Sequence, residues 1–192
     1  MERPLILASR SPRRRELLKE AGFTFDVVPP ESEAECGLCS GETPAGLVAR
    51  LARKKAADVA ARTSRALIIG CDTVAECDGQ ILGKPEDEDH ARRMLKILRG
   101  REHRVYSGLC LWLAPEGRSF LEVDRTVLRM DQLSDGQLDE YLSGDGWIGK
   151  AGAFGYQDRL GWVRIIEGSE SNVVGLPMEL LERMLFQAAV HR

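Results

Sequence analysis

Four short segments of this 192-residue chain carry side chains able to handle phosphate. The first is Ser9-Arg10-Ser11-Pro12-Arg13-Arg14-Arg15. Ser11 is a favoured N-cap and Pro12 a favoured first helical residue, so a helix starts here. Unpaired N–H groups, the helix dipole and guanidiniums together favour an anion. Consecutive arginines point in different directions, so at most one or two serve one ligand. A solvated basic helix face is the equal alternative. The second segment is Asp72-Thr73, directly after the apolar run 66–70. Open α/β sheets place ligand groups at the carboxyl ends of such strands. Asp72 can hold Mg²⁺ or act as a general base on water, or it can merely cap a turn.

The third segment is Gly83-Lys84-Pro85. A lysine on a rigid turn meets phosphate as a point charge. The chain has no GxxxxGK[ST], so this is not a P-loop, and a solvated turn lysine is the alternative. The fourth runs from Gly149 and Lys150 to Gln157 (GKAGAFGYQ). Its glycines let backbone approach a ligand. Lys150 supplies charge, and the Gln157 amide carries both donors and an acceptor for a base edge. The alternative is a flexible connection. Glu31, Glu33 and Glu35 lie in an acidic stretch over 29–45 that has no Lys or Arg. A carboxylate from there facing Asp72 completes a Mg²⁺ site; otherwise it is a solvated edge.

The elements that must position these groups follow from patterning. Residues 4–8 (PLILA) and 66–70 (ALIIG) are short apolar runs read as buried strands. Leu17, Leu18 and Ala21 give the first helix an apolar face, Gly22 ends it, and 23–28 reads as a strand. Pro44 opens a long helix through Lys55 to Ala61. Residues 74–82 read as a hairpin around Asp78-Gly79. Ala91, Met94, Leu95 and Leu98 mark a helix that Gly100 stops. Stretches 103–113 and 120–130 read as an antiparallel pair, Ser134 caps a helix, 162–166 is a strand, and Pro177 opens a last helix. Mixing βα units with antiparallel pairs predicts an α/β class with a mixed sheet. No repeat or linker interrupts the chain, so one domain over 1–192 is expected.

Composition excludes other classes. With 27 Lys and Arg against 30 Asp and Glu, the net charge is −3, unlike a generic nucleic-acid coat. No aromatics interleave Arg13 to Arg15, so a nucleic-acid partner is not expected. No apolar run reaches the roughly 20 residues of a membrane span, and 4–8 is too short for a signal-peptide core. A cytoplasmic protein with no membrane partner is the expectation. Five cysteines without an export signal predict free thiols. Cys36 and Cys39 make a CxxC that lacks further zinc ligands, so they are read as incidental.

Each signal is weak alone, but their joint order is specific. LILASRSPRRRELL, RLARKKA, CDTVAECDGQILGKPEDEDHARRML, GKAGAFGYQ and NVVGLP together resemble the Maf family of nucleoside triphosphate pyrophosphatases, from Leu5 to Leu185. The resemblance implies an elongated two-lobed α/β fold with a central cleft, related to inosine triphosphatase, and a homodimer. It implies hydrolysis between the α and β phosphates, giving a nucleoside monophosphate and pyrophosphate, with a divalent cation (Mg²⁺ or Mn²⁺). The family's SxSPRR pattern falls on Ser9, Ser11, Pro12, Arg13 and Arg14, which implies phosphate binding there. Its catalytic aspartate matches Asp72, and its lysines match Lys55, Lys84 and Lys150. Its acidic loop residue is best matched by Glu33, with Glu31 the alternative, as a metal ligand beside Asp72. The family's usual Thr-Gly is Ser107-Gly108 here. Arg13, Thr73 and Gln157 resemble the branch that prefers dTTP and UTP. A 7-methyl-GTP pyrophosphatase is the alternative, as is a non-catalytic nucleotide-binding regulator of septum formation.

Overall fold

The computed structural model describes residues 3–31, 41–158 and 160–190. Its elements run β1 (Leu5–Ala8), α1 (Pro12–Glu20), β2 (Asp26–Val27), α2 (Pro44–Ala60), β3 (Ala66–Cys77), β4 (Gln80–Leu82), α3 (Glu88–Leu98), β5 (Glu102–Ala114), β6 (Arg118–Met130), α4 (Asp135–Leu142), β7 (Val163–Glu167), α5 (Glu170–Val174) and α6 (Met178–Val190). The strands form one seven-stranded sheet ordered β2-β1-β3-β5-β6-β7, with β4 paired to β3. β1 runs parallel to β2 and β3, whereas the β3–β5–β6–β7 pairings are antiparallel. The expected mixed α/β class is therefore borne out.

Local chemistry explains the boundaries. Ser11 caps α1 with Pro12 in its first turn, and Thr43 and Pro44 repeat that start for α2. Ser134 and Gln137 form a capping box on α4. Two expectations are corrected. The stretch 23–28 contributes only the two-residue β2. More importantly, Asp72 and Thr73 do not follow a strand: β3 continues to Cys77, paired with β5 as far as Glu76 opposite Arg104. Val74, Ala75 and Cys77 are buried apolar residues and Glu76 pairs with Arg104, so the ladder continues and Asp72 sits midway along a 12-residue strand. Five-residue α5 is an element that the patterning did not reveal.

Side-chain alternation along the strands sorts the core. Ile6, Ala8, Ile68 and Cys110 pack with Ala52, Ala56 and Val59 of α2 on one face. Leu7, Ile69, Leu109 and Leu111 pack with Leu18 of α1 and Leu180, Leu181 and Met184 of α6 on the other. Beyond the strand midpoints a further cluster begins, in which Ala75, Val105 and Leu128 meet Met94, Leu95 and Leu98 of α3 and Leu138 of α4. Long strands β3 and β5 thus carry packed cores towards both ends, and Asp72, Thr73 and Ser107 lie between them. Gly70 and Gly108 let α2 settle against this region: a Cβ on either would collide with the Ala52 or Val48 carbonyl. No helix among the described residues is long and apolar enough to cross a membrane.

His103 is fully buried in the cluster beneath α3, edge-on to Phe154 with ring centroids 5.3 Å apart. Neither ring nitrogen has a hydrogen-bond partner. Burial pushes its pKa from 6.5 down to about 4. Above 6.5 both the folded and unfolded forms are neutral; on acidification the unfolded chain takes a proton that the folded chain refuses. Between pH 7 and 4 the wild type should therefore lose on the order of 3 kcal/mol more stability than His103→Met, read by urea denaturation at each pH. Parallel loss in both proteins would show that His103 is not held neutral by the core.

Candidate active site

A cavity of about 290 Å³ opens where the two packed regions meet. Its walls include Ser9, Ser11, Arg13 and Arg14 from the β1–α1 turn, Lys55 from α2, Asp72 and Thr73 from β3, Lys84, and Lys150 and Gln157. The structure thus brings all ten of these sequence-predicted residues to one surface. Glu33, Cys36 and Cys39 lie outside the described residues. Lining residues that sequence reasoning did not select include Arg10, Ile148, Phe154 and Gly175. Among the described residues, six cationic side chains and one carboxylate line the cavity, in a chain whose net charge is −3. Such a concentration of one sign within low-dielectric walls attracts a polyanion.

Each side chain is held by something definite. Lys55 Nζ donates to Asp72 Oδ1 at 2.6 Å, and the two side chains are only 7% and 14% exposed. Arg14 is buried and spreads its fork across three segments. Its Nε donates to the Gly175 carbonyl at 2.7 Å, Nη1 to Ser9 Oγ at 3.3 Å and Nη2 to Thr73 Oγ1 at 3.0 Å. The Thr73 hydroxyl also shares a hydrogen bond of 2.8 Å with Ser107 Oγ. Ser107 is thereby given a place behind Thr73, in a network continued by Asn172, whose Nδ2 donates to the Val105 carbonyl and Thr126 Oγ1. Ser9 Oγ also accepts from Ser11 N–H at 3.1 Å, and Ser11 Oγ accepts from Arg14 N–H at 3.5 Å. These hydroxyls shape the turn as well as lining the cavity.

Arg13 Nη2 donates to the Gly149 carbonyl at 2.9 Å, joining the α1 start to the glycine-rich segment. Burial, with Arg14's charge beside it, presses the Arg13 guanidinium below its ordinary pKa, although Asp158 and Glu16 pull it back up. It stays cationic at any working pH. The Gly152 N–H donates to the Gly83 carbonyl at 3.0 Å, which ties the turn bearing Lys84 to the segment bearing Lys150. Arg15 is exposed and outside the cavity, as expected from consecutive helical positions.

Asp72 is the one carboxylate among the described cavity-lining residues, and no group of three His, Cys, Asp or Glu among the described residues can hold a metal ion. Mg²⁺ needs little more, because it is usually bound by one or two carboxylates plus substrate phosphates and water. The donor set therefore fits a cation delivered with a polyphosphate.

If the cavity binds polyphosphate as such, inorganic tripolyphosphate should stabilise the protein without a nucleoside. At about 100 times Kd the gain is roughly 2.7 kcal/mol, or about 5–10 °C in Tm for a chain of this size. Arg13→Ala should weaken that binding about tenfold, the worth of one charge-assisted contact. A Tm insensitive to tripolyphosphate would mean that the cationic wall is not a phosphate site.

Comparison with known proteins gives a consistent result. A family model described as Maf-like protein matches residues 4–188. A relative named dTTP/UTP pyrophosphatase from Rhodopirellula baltica is 54% identical over 94% of this chain and 80% of its own. Relatives of the same name from Salinibacter ruber (43%, covering 95% and 89%) and Thermococcus gammatolerans (42%, covering 94% and 94%) are similar throughout. A solved nucleoside-triphosphatase / dITP/XTP pyrophosphatase from Mycobacterium abscessus has a TM-score of 0.42 and 16% identity over 68% of this chain and 75% of its own, too slight a likeness to argue from.

Proposed function

This chain belongs to the Maf-like protein family, and we propose that it hydrolyses nucleoside triphosphates, preferring dTTP and UTP, to the monophosphate and pyrophosphate. The observation that carries this reading is the cavity itself. Among the described residues, one carboxylate clasped by a lysine shares the cavity with six cations and with the Gln157 amide, which can read a base. The relatives' name, dTTP/UTP pyrophosphatase, supports the same substrate class.

In this mechanism Arg13, Lys84, Lys150 and Lys55 hold the phosphate chain by charge, and Arg14 supports the Ser9–Thr73 wall. Asp72 takes the proton of a water whose oxygen attacks the α-phosphorus. The bond from that phosphorus to the α–β bridging oxygen breaks, and pyrophosphate leaves into the field of Lys84 and Arg13. Lys55 fixes the Asp72 carboxylate, so the acceptor oxygen is oriented before substrate arrives. Asp72, with Glu33, would hold Mg²⁺ or Mn²⁺, which supplies charge neutralisation on the phosphate oxygens when bound. A cytoplasmic homodimer, with all residues in one domain, is part of the same proposal.

Pyrophosphate release from dTTP, UTP, 7-methyl-GTP and inosine triphosphate, assayed in parallel, tests the reading. Asp72→Asn keeps the shape and removes the proton acceptor, so turnover of dTTP should fall at least about a hundredfold. Near-normal turnover by that variant would remove Asp72 from the chemistry. Tight nucleotide binding by the wild type without pyrophosphate release would favour a regulator instead.

Gln157 separates specificity from chemistry. Its amide can pair with the O4 and N3–H edge of uracil or thymine, and each unmatched polar group costs about 1–3 kcal/mol. Gln157→Glu replaces the donor by an acceptor, so dTTP and UTP turnover should fall roughly ten- to hundredfold while any purine activity falls less. An equal loss on every nucleotide would assign Gln157 to structure or chemistry rather than base reading.

A further inference from the structure

Asp158 is a charged group beside the cavity that the proposed chemistry does not use. Its Oδ2 accepts from Lys150 Nζ at 2.5 Å, with the carboxylate 25% and the lysine 11% exposed. Lys150 lines the cavity and Asp158 does not, so the carboxylate grips the lysine from outside the ligand space. Gly155 lies under the pair: a Cβ there would collide with both Lys150 Nζ and the Asp158 carboxylate. The glycine leaves room for the ion pair to close. A helical turn over Tyr156–Asp158 places Gln157 directly before the gripping residue. The Asp158 charge also acts on Arg13, whose guanidinium donates to the Gly149 carbonyl next to Lys150.

We propose that Asp158 is a positioning residue. By clasping Lys150 it closes residues 150–158 into a ring, which presents the Lys150 ammonium to the phosphates and the Gln157 amide to the base. The inference deepens, and rests on, the reading of the cavity as a nucleoside triphosphate site. An ammonium carries three N–H donors, so Lys150 keeps Asp158 and still donates to a phosphate oxygen. The carboxylate therefore does not compete with substrate. It spares the ligand the entropy of ordering a long flexible side chain and the glycine-rich segment around it. Because Gln157 is on the ring, losing the clasp blurs base discrimination as well as phosphate affinity.

The test uses the full-length protein, with steady-state kinetics on dTTP and inosine triphosphate and direct binding of inorganic tripolyphosphate. Asp158→Ala should raise KM for dTTP roughly tenfold with kcat within about twofold, and narrow the preference for dTTP over inosine triphosphate. Asp158→Asn keeps an acceptor for Lys150 and should fall between wild type and Asp158→Ala. In a Lys150→Met background, Asp158→Ala should change KM less than about twofold, because the clasp is already gone. That double variant leaves no unpaired buried charge, so it and Asp158→Asn report even where Asp158→Ala folds poorly. Additive effects would overturn the proposal, as would an unchanged KM or a fall in kcat with discrimination intact. A fall in KM would make Asp158 a competitor for Lys150 and overturn it equally. If the wild type turned over no triphosphate, the pyrophosphatase reading would fail by itself. Tripolyphosphate would then test the clasp, with a tenfold loss of binding in Asp158→Ala supporting it and no loss sinking it.

Discussion

Everything at the cavity depends on how close helix α2 lies to the sheet. Lys55 reaches Asp72 only because Gly70 on β3 and Gly108 on β5 present no side chain to the helix backbone above them. A buried ion pair is a poor source of stability, since desolvating two charges offsets most of their attraction. Here the pair spans an element boundary, from a helix to the middle of a strand, and fixes one carboxylate oxygen at a point facing the cations. Its retention is better explained by that geometry than by any contribution to folding.

Arg14 plays the corresponding part for the opposite wall. Its three sets of donors reach the end of β1, the middle of β3 and the Gly175 carbonyl after α5. Those partners are 5, 59 and 161 residues away along the chain. A planar guanidinium does this better than an ammonium, because its fork holds several acceptors in fixed directions. The basic run after Ser11 therefore divides its labour. Arg14 builds the wall, Arg13 faces the ligand space, and Arg15 is left to solvent.

How much of this was legible in the sequence varies with the range of the interaction. Helix starts at Ser11-Pro12 and at Pro44 are written locally, as a cap and first-turn prolines, and they came out as read, with Thr43 as a cap that the reading had not named. The apolar runs of β1 and β3 were equally plain. The place of Asp72 was not, because a polar pair after ALIIG looks like a strand end. Only the long pairing of β3 with β5 shows the ladder running through it. The short β2 and α5 carry too few residues for any periodicity. The family resemblance gathered Lys55, Lys84 and Lys150, which no local pattern connects. Asp158 escaped even that, since its partner lies eight residues away across two short helical turns broken at Phe154 and Gly155, at a spacing that predicts no contact.

The remaining question is why a protein with a net negative charge gathers six cations, among its described residues, around one cavity. Arg13 sits half-buried beside Arg14, and burial first, with Arg14's charge second, lowers its proton affinity. Clusters of like charge destabilise the folded state unless something neutralises them, and functional sites are where such strain is kept. The structure answers part of it internally, with Asp72 against Lys55 and Asp158 against Lys150. Two carboxylates against six cations leave the cationic wall incompletely neutralised among the described residues. A polyphosphate completes it, so ligand binding and fold stability are linked through the same charges. The rest of the chain carries the net negative charge, and against it the cavity's gathered cations draw a polyanion towards Asp72.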